Sequence, residues 1–349
     1  MNGIWFDEIH SFTDLNLILS KVDLPPAAVK TSYVDNPGGD GSWDLTEATG
    51  KINYKNRDCK FTFSVLPTDD FEQKKTEVSN LLNGRRHKIV LDKDPGYFWD
   101  GRCTVNKYES KKKLRKIVVS ANVAPYKYKT EQTNVFVPFC GKNLLNVSED
   151  NQIKQLYGSV EYIENGFRKS GEYFVGFRAY VKKNTQYYLG CDIAQIVQAS
   201  TPNSGGRIAI YDITNTKSIA QFPSSNGHAT FTFNSGNYTE FNVLFYSDSY
   251  EEIGVYEFTN IQLEAIQATE YEPYTPTTDP KEVILTNGRK SVSPTIYCTG
   301  EATIVADGAE YTVGEGTHKI LDFQLQEGAT PITVSGTGTV TFVYQEGDL

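Results

Sequence analysis

The sequence predicts a mainly β protein with one helix, and three observations carry that reading. Twenty-two tyrosines and 19 phenylalanines stand against a single methionine, and aromatic side chains suit pleated, half-buried surfaces. The 28 glycines fall mostly between short apolar alternations of period two. A capped, helix-spaced apolar stripe occurs once, over about residues 70–83. At roughly 150 residues per domain, 349 residues suggest about two domains, or three small β domains.

Composition excludes several classes of function. Cys59, Cys103, Cys140, Cys191 and Cys298 are scattered, with no C-x-x-C, which argues against a zinc ribbon or a disulfide framework. Buried thiols in a reducing cytoplasm are expected instead. Residues 1–8 show neither a basic segment nor an apolar run, so no export signal is expected. No apolar run approaches the ~20 residues of a membrane span. A net charge of −9 speaks against nucleic-acid binding as the main task. His10, His87, His228 and His318 are isolated, and no G-x-S-x-G elbow is present. Gly336-Thr-Gly-Thr339 reads as a turn between strands, since no helix follows to complete a phosphate site. No catalytic residue, cofactor or metal is expected. The alternative enzyme class is a glycoside hydrolase, whose paired carboxylates are set by the fold.

In chain order, Gly3–Phe6 and Leu15–Leu19 read as strands at the edge of a first domain. Residues 34–46 are rich in Asp and Gly but lack the alternating oxygen ligands and distal Glu of an EF-hand, so a tight loop using glycine's positive φ is expected. Residues 59–66 alternate as a strand. The helix follows, with Asp69 as N-cap, Glu72 as capping-box partner and Asn83-Gly84 at its end. Phe71, Val78, Leu81 and Leu82 share one face, which packs on a sheet. Residues 86–91 form a strand, and 102–123 a hairpin turning near 109–113. Lys111, Lys112, Lys113, Arg115 and Lys116 there read as a solvated tip that deters edge pairing rather than a phosphate patch.

Four stretches, in order and spacing, resemble the N-terminal domain of siphophage distal tail proteins. They are residues 34–46 (VDNPGGDGSWDLT), Tyr54-Lys-Asn-Arg57, Leu82-Asn-Gly-Arg85 and residues 91–102 (LDKDPGYFWDGR). The first differs at Gly39 and Asn36, where many members carry an arginine and an apolar residue. The resemblance covers about residues 1–128. It implies a β-sandwich with one helix and a projecting hairpin, assembled into a hexameric ring.

Beyond Ala124-Pro125, residues 133–139 begin a new strand, and Cys140-Gly-Lys-Asn-Leu-Leu-Asn146 resembles the opening of modules inserted into phage proteins. From there to Tyr274 come strands at 171–181, 185–193, 207–212, 228–233, 241–246 and 254–263, with lengths and spacings that fit an antiparallel two-sheet sandwich. The ending at 255–274 resembles jelly-roll carbohydrate-binding modules of phage tail proteins. A proline-bearing linker, Pro273 to Pro280, follows. Residues 282–297 place Asn287-Gly288 between apolar stretches, the strongest short hairpin signal. Residues 280–349 resemble the galectin-like C-terminal domain of distal tail proteins, yet alone they are short of core. The strand at 131–139 would complete it.

The expected architecture is therefore an N-terminal β-sandwich with one helix and a projecting hairpin at 1–129, and a galectin-like C-terminal β-sandwich at 130–141 plus 277–349. A jelly-roll module at 142–276 interrupts the latter. Sugar binding needs an aromatic face for the C–H side of a pyranose and polar groups for its hydroxyls. Tyr162, Arg207, Tyr211, His228, Asp248 and Tyr250 are the candidates in the module, which has no tryptophan. The implied role is a virion structural protein at the tail tip. It would form a homo-hexamer between the tail tube protein and a tail-associated tip protein, and the module would bind host cell-wall glycan. No membrane and no sequence-specific nucleic acid is expected as a partner. The alternative for the module is a spacer or a protein-docking surface.

Overall fold

The computed structural model describes residues 3–67, 69–111, 114–155, 159–171, 173–197, 207–214, 216–223, 226–248 and 254–349. Among the described residues the chain is mainly β, with one α-helix and several antiparallel sheets. Period-two alternation becomes strand where one face finds a core. In Arg57–Val65 the residues Cys59, Phe61, Phe63 and Val65 are buried, and the residues between them are not.

The first sheet runs, by neighbour, Ile9–His10, Ile4–Phe6, Arg86–Leu91, Tyr97–Lys111, Leu114–Val123, Arg57–Val65 and Leu17–Asp23. The helix Phe71–Leu82 lays Phe71, Val78 and Leu82 on it. Each fully buried apolar side chain of that kind contributes about 1.5–3 kcal/mol. The N-cap is Asp70 rather than Asp69: its Oδ1 accepts from the backbone N–H of Glu72 at 2.9 Å and of Gln73 at 3.3 Å. Asp69 is drawn away, its carbonyl accepting from the Arg115 guanidinium at 2.9 Å. Glu72 pairs with Lys75 at 2.6 Å instead of closing a capping box. The long hairpin Tyr97–Lys111/Leu114–Val123 turns as expected, with Lys112 and Lys113 outside the described residues.

Residues 24–56 form an arm that contains no buried residue. Its tip is the ribbon Tyr33–Asp35/Ser42–Asp44, turned by Gly38 and Gly41, both at φ 82°. The arm's base is pinned where Asn56 donates to Asn122 at 2.8 Å and Arg57 donates to the Pro125 carbonyl at 2.8 Å.

The described residues between 152 and 265 form two five-stranded antiparallel sheets. One orders Gln152–Gln155, Tyr173–Tyr180, Glu240–Asp248, Arg207–Tyr211 and Ser218–Pro223. The other orders Ser159–Ile163, Gly166–Ser170, Val255–Ala265, Gln186–Val197 and Gly227–Asn234. Between them lies a core in which Phe167, Phe177, Phe245 and Phe258 meet ring to ring. Strand Thr133–Pro138 pairs along its whole length with Thr339–Tyr344. That pair continues through Thr295–Cys298 to Gly316–Lys319, and a second four-stranded sheet (Lys281–Asn287, Gly328–Gly336, Ala302–Ala306, Ala309–Val313) packs against it around Leu285, Ile304, Val334 and Phe342. Lys127–Lys129 joins the first sheet to the chain's last strand, Gly347–Asp348.

Asn287-Gly288 does not make the expected hairpin. Lys281–Asn287 pairs with Gly328–Gly336, while Thr295–Cys298 lies in the other sheet. The buried Asn287 side chain donates to the carbonyls of Lys290 at 2.8 Å and Leu325 at 3.1 Å, which carries the chain across from one sheet to the other.

The chain leaves the sandwich that contains Thr133–Pro138 near Cys140 and returns to it near Pro276, and the two passes run side by side. Gly141 N–H donates to the Thr275 carbonyl at 3.0 Å and Thr277 N–H to that of Phe139 at 3.1 Å. Just above this neck, Asn143 is 1% exposed and fully bonded. Its amide nitrogen donates to the carbonyls of Ile261 at 2.8 Å and Glu272 at 3.2 Å, and its oxygen accepts from Leu145 N–H at 3.0 Å and Leu263 N–H at 3.1 Å.

Two outcomes are expected. All five cysteines are free and buried, and burial raises every thiol, Cys59 to about 11 and Cys103 to about 12. A disulfide-exchange reagent at about pH 8 should therefore find none in the native protein and all after denaturation; a thiol that titrates in the native protein contradicts this. Asn143→Ala strands buried backbone groups and should destabilise residues 142–276 by about 2–4 kcal/mol, read by hydrogen exchange of that region.

Candidate functional site

Of the candidate sugar contacts, the four whose side chains are described, Tyr162, Arg207, Tyr211 and His228, are not brought to one place. Tyr162 and His228 lie on the two outer strands of one sheet, Ser159–Ile163 and Gly227–Asn234. Arg207 and Tyr211 lie at opposite ends of Arg207–Tyr211 in the other sheet. Asp248 ends the strand Glu240–Asp248, opposite Tyr173; its side chain, like the whole of Tyr250, lies outside the described residues.

Arg207 spreads its guanidinium over the ring of its cross-strand partner Tyr246, 4.3 Å from the centroid. The Tyr211 hydroxyl accepts from the Gln221 amide at 3.1 Å. His228 holds its Nδ1 2.6 Å from Asp192 Oδ1, and Asn260 donates to Asp192 Oδ2 at 2.6 Å. These bonds, that from Asn260 first, favour the ionised carboxylate of Asp192 and hold it below the ordinary range. With the His228 side chain 64% exposed, this row is an open polar face, not a pocket.

Tyr162 borders a concavity. It lines a recess of about 530 Å³ beside the neck, with Tyr271, Tyr274, Asn146, Glu149 and Asn165. That volume is in the range of small-ligand sites. The Tyr162 hydroxyl donates to Gln152 at 2.8 Å, and burial pushes its pKa up to about 12. Burial also raises Tyr271 and Tyr274. Three tyrosines with a carboxylate and two amides supply what a pyranose needs, apolar ring surface and hydrogen-bonding rim. Tyr271 and Tyr274 were not singled out from the sequence, because they sit in the linker after the last strand. The signal available was a pair of tyrosines flanking Pro273 at the place where the returning chain must pass the module's first residues.

No family model matches the chain, and no curated protein sequence matches it. Among solved structures it is similar to the Dit protein (gp 19.1) of phage SPP1, described as a paradigm of the hub of the adsorption apparatus in phages infecting Gram-positive bacteria. The alignment covers 99% of each chain at 10% identity with a TM-score of 0.38. It is also similar to a triple jelly roll protein from the turret of an archaeal virus, over 93% of this chain and 90% of that one, at 11% identity and a TM-score of 0.19. At these scores neither likeness assigns a function.

The Asp192 row makes a pH prediction. Its folded pKa lies below the unfolded value of about 3.9, so the stability it contributes is fully present above about pH 4 and is lost as pH falls through the folded pKa. Asp192→Asn should lower the melting midpoint at neutral pH, and the gap to wild type should close toward about pH 3. A gap that stays constant across that window counts against the hydrogen-bonded carboxylate.

Proposed function

We propose that this is a distal tail protein of a long-tailed phage, a tail-tip component whose copies close into a hexameric ring between the tail tube and the tip proteins. Residues 142–276 form an inserted module that binds host cell-wall saccharide. The supporting observation is how the four distal-tail stretches are used. Two of them, 82–85 and 91–102, bond to each other at the first sheet, and a third, 54–57, anchors the arm to it. Arg102 donates to the Gly84 carbonyl at 2.6 Å, and Asn83 accepts from Val105 N–H at 3.1 Å. Asp92 accepts from Gly3 N–H at 2.6 Å and from the Trp5 indole at 3.1 Å. Gly101 has no room for a side chain, since a Cβ there would meet the Asn122 carbonyl oxygen at 2.7 Å. Tyr54 packs edge-on against Tyr126, fixing the arm's base. These residues specify one fold, and their order along this chain is that of the distal-tail domain.

The remaining stretch, residues 34–46, has no such role in its own subunit. It lies on the arm, with Tyr33 60% and Trp43 57% exposed and Val34 and Leu45 also exposed. A two-stranded ribbon is marginal in water alone, and here the cross-strand pair Val34–Trp43 leaves apolar surface exposed for a partner to cover. A ring is closed by heterologous contacts, in which one surface of each subunit meets a different surface of the next. The arm suits the first of these.

Domain limits of 1–129, 130–141 with 277–349, and 142–276 are part of the same proposal, supported by three separate apolar clusters and by the two-chain neck. For the module, the tyrosine-lined recess is the supporting feature. Modest affinity at one site is offset when several copies on a ring engage together.

Light-scattering mass of the purified protein tests the ring: a hexamer is expected, and a monomer at every concentration counts against it. Replacing residues 34–44 by a short Gly-Ser turn should abolish the hexamer and leave a folded monomer. The module is tested by pelleting the full-length protein with host cell walls. A ring that ignores the walls of every host tried leaves residues 142–276 as a spacer or docking unit.

A further inference from the structure

We infer that the protein holds a neutral, linear oligosaccharide in a cleft between the inserted module and the outer sheet of the C-terminal sandwich, on an aromatic ledge formed by Phe136 and Tyr297. The cleft encloses about 370 Å³. Its floor is the sheet ordered Thr133–Pro138, Thr339–Tyr344, Thr295–Cys298 and Gly316–Lys319. Val137, Val340, Ile296 and Phe342 point from this sheet into the core. Strand alternation therefore turns the residues between them outward, and the register sets Phe136, Thr341, Tyr297 and Thr317 in one row across the four strands. The roof comes from the module, where Tyr180 pairs across strands with Glu240 and Lys183 follows in the next turn.

Three features of this row point to a sugar chain. Phe136 and Tyr297 are two strands apart, about 10 Å, the span of two linked pyranose rings, and both line the cleft with aromatic surface of the kind that meets the apolar side of a sugar. Among the described residues, the hydroxyls of Tyr180, Tyr297, Thr317 and Thr341 bond to no protein group, which leaves them to meet the hydroxyl rim of a ligand. Among the described residues the charge of the lining is balanced: Lys183 is its one cation and Glu240 its one anion, and Glu240 has Arg178 3.8 Å away. A phosphorylated or strongly acidic polymer would require concentrated Lys and Arg. A contact that merely packed the two units together would cover the rings, yet Tyr297 is 46% exposed. The ligand class rests on the wall-saccharide reading above; the location does not, since no residue of this row belongs to the tyrosine recess at the neck.

The test is titration of the full-length protein with cellohexaose, chitohexaose and galactohexaose, followed by calorimetry. At least one probe should bind. Tyr297→Ala and Tyr180→Ala should each weaken it about tenfold or more. Thr341→Val, which keeps the shape and removes one hydroxyl, should weaken it several-fold. Melting midpoints of the variants separate loss of binding from loss of fold. Binding that survives Tyr297→Ala and disappears in Tyr271→Ala would place the ligand in the recess, overturning the cleft and keeping the wall-saccharide reading. No binding of any probe by the wild-type protein also overturns the cleft, and pelleting with host walls then judges the wall reading separately.

Discussion

The organisation of residues 133–349 depends on one constraint: the chain must leave a sandwich, build another one, and come back at the same spot. Two strands of neck meet that constraint, and the Asn143 amide holds it. An asparagine amide has two N–H donors and an oxygen that accepts two bonds, and Asn143 uses all four. Its partners come from the module's first residues, its last strand and the returning linker. Aspartate could only accept, and leucine could do neither, so the backbone groups at 261, 263, 145 and 272 would be left in a buried place without partners. The surface pair Lys142–Glu272 at 2.6 Å lies alongside, but with both side chains about half exposed it contributes little.

The same clamp shapes the recess. Because Asn143 binds the Glu272 carbonyl, the linker on either side of it is fixed, and that linker carries Tyr271 and Tyr274. Gln262 adds to the hold, its side-chain oxygen accepting from Glu272 N–H at 2.5 Å. A connection that would otherwise be a mobile proline-bearing tether is thus made part of a wall. Backbone satisfaction, local position and a candidate binding surface are here consequences of one buried side chain.

How much was legible in the sequence follows from which interactions are local. Strands came from period-two alternation, and the helix from its apolar stripe and caps, since both are written in neighbouring residues. The N-cap falls one residue beyond the expected Asp69 because two adjacent aspartates offer the same chemistry, and the bond from the distant Arg115 to the Asp69 carbonyl is not written in the local sequence. Asn287-Gly288 looked like a hairpin turn, but the buried Asn287 is committed to carbonyls 3 and 38 residues away, and no local pattern encodes that. The four described sugar candidates lie apart for a related reason. Alternation tells which face a residue takes, not which sheet its strand joins or at which edge. Tyr271 and Tyr274 lay in a linker, and the row Phe136–Thr341–Tyr297–Thr317 joins strands separated by the whole inserted unit.

A two-chain neck also has a mechanical consequence that a single linker would not. One flexible connection lets a domain swing, and its sites then face in all directions. Two connections that bond to each other, with a saturated amide above them, remove most of that freedom. In a closed ring every copy is related by rotation, so a module fixed on its own subunit would present its surfaces toward the same side of the assembly. Simultaneous engagement of several weak sites requires such agreement in direction, because effective concentration falls to nothing when geometry forbids a second contact. The cleft depends on it more than the recess does. Its floor belongs to the C-terminal sandwich and its roof to the module, so it exists only while the neck holds the two in register.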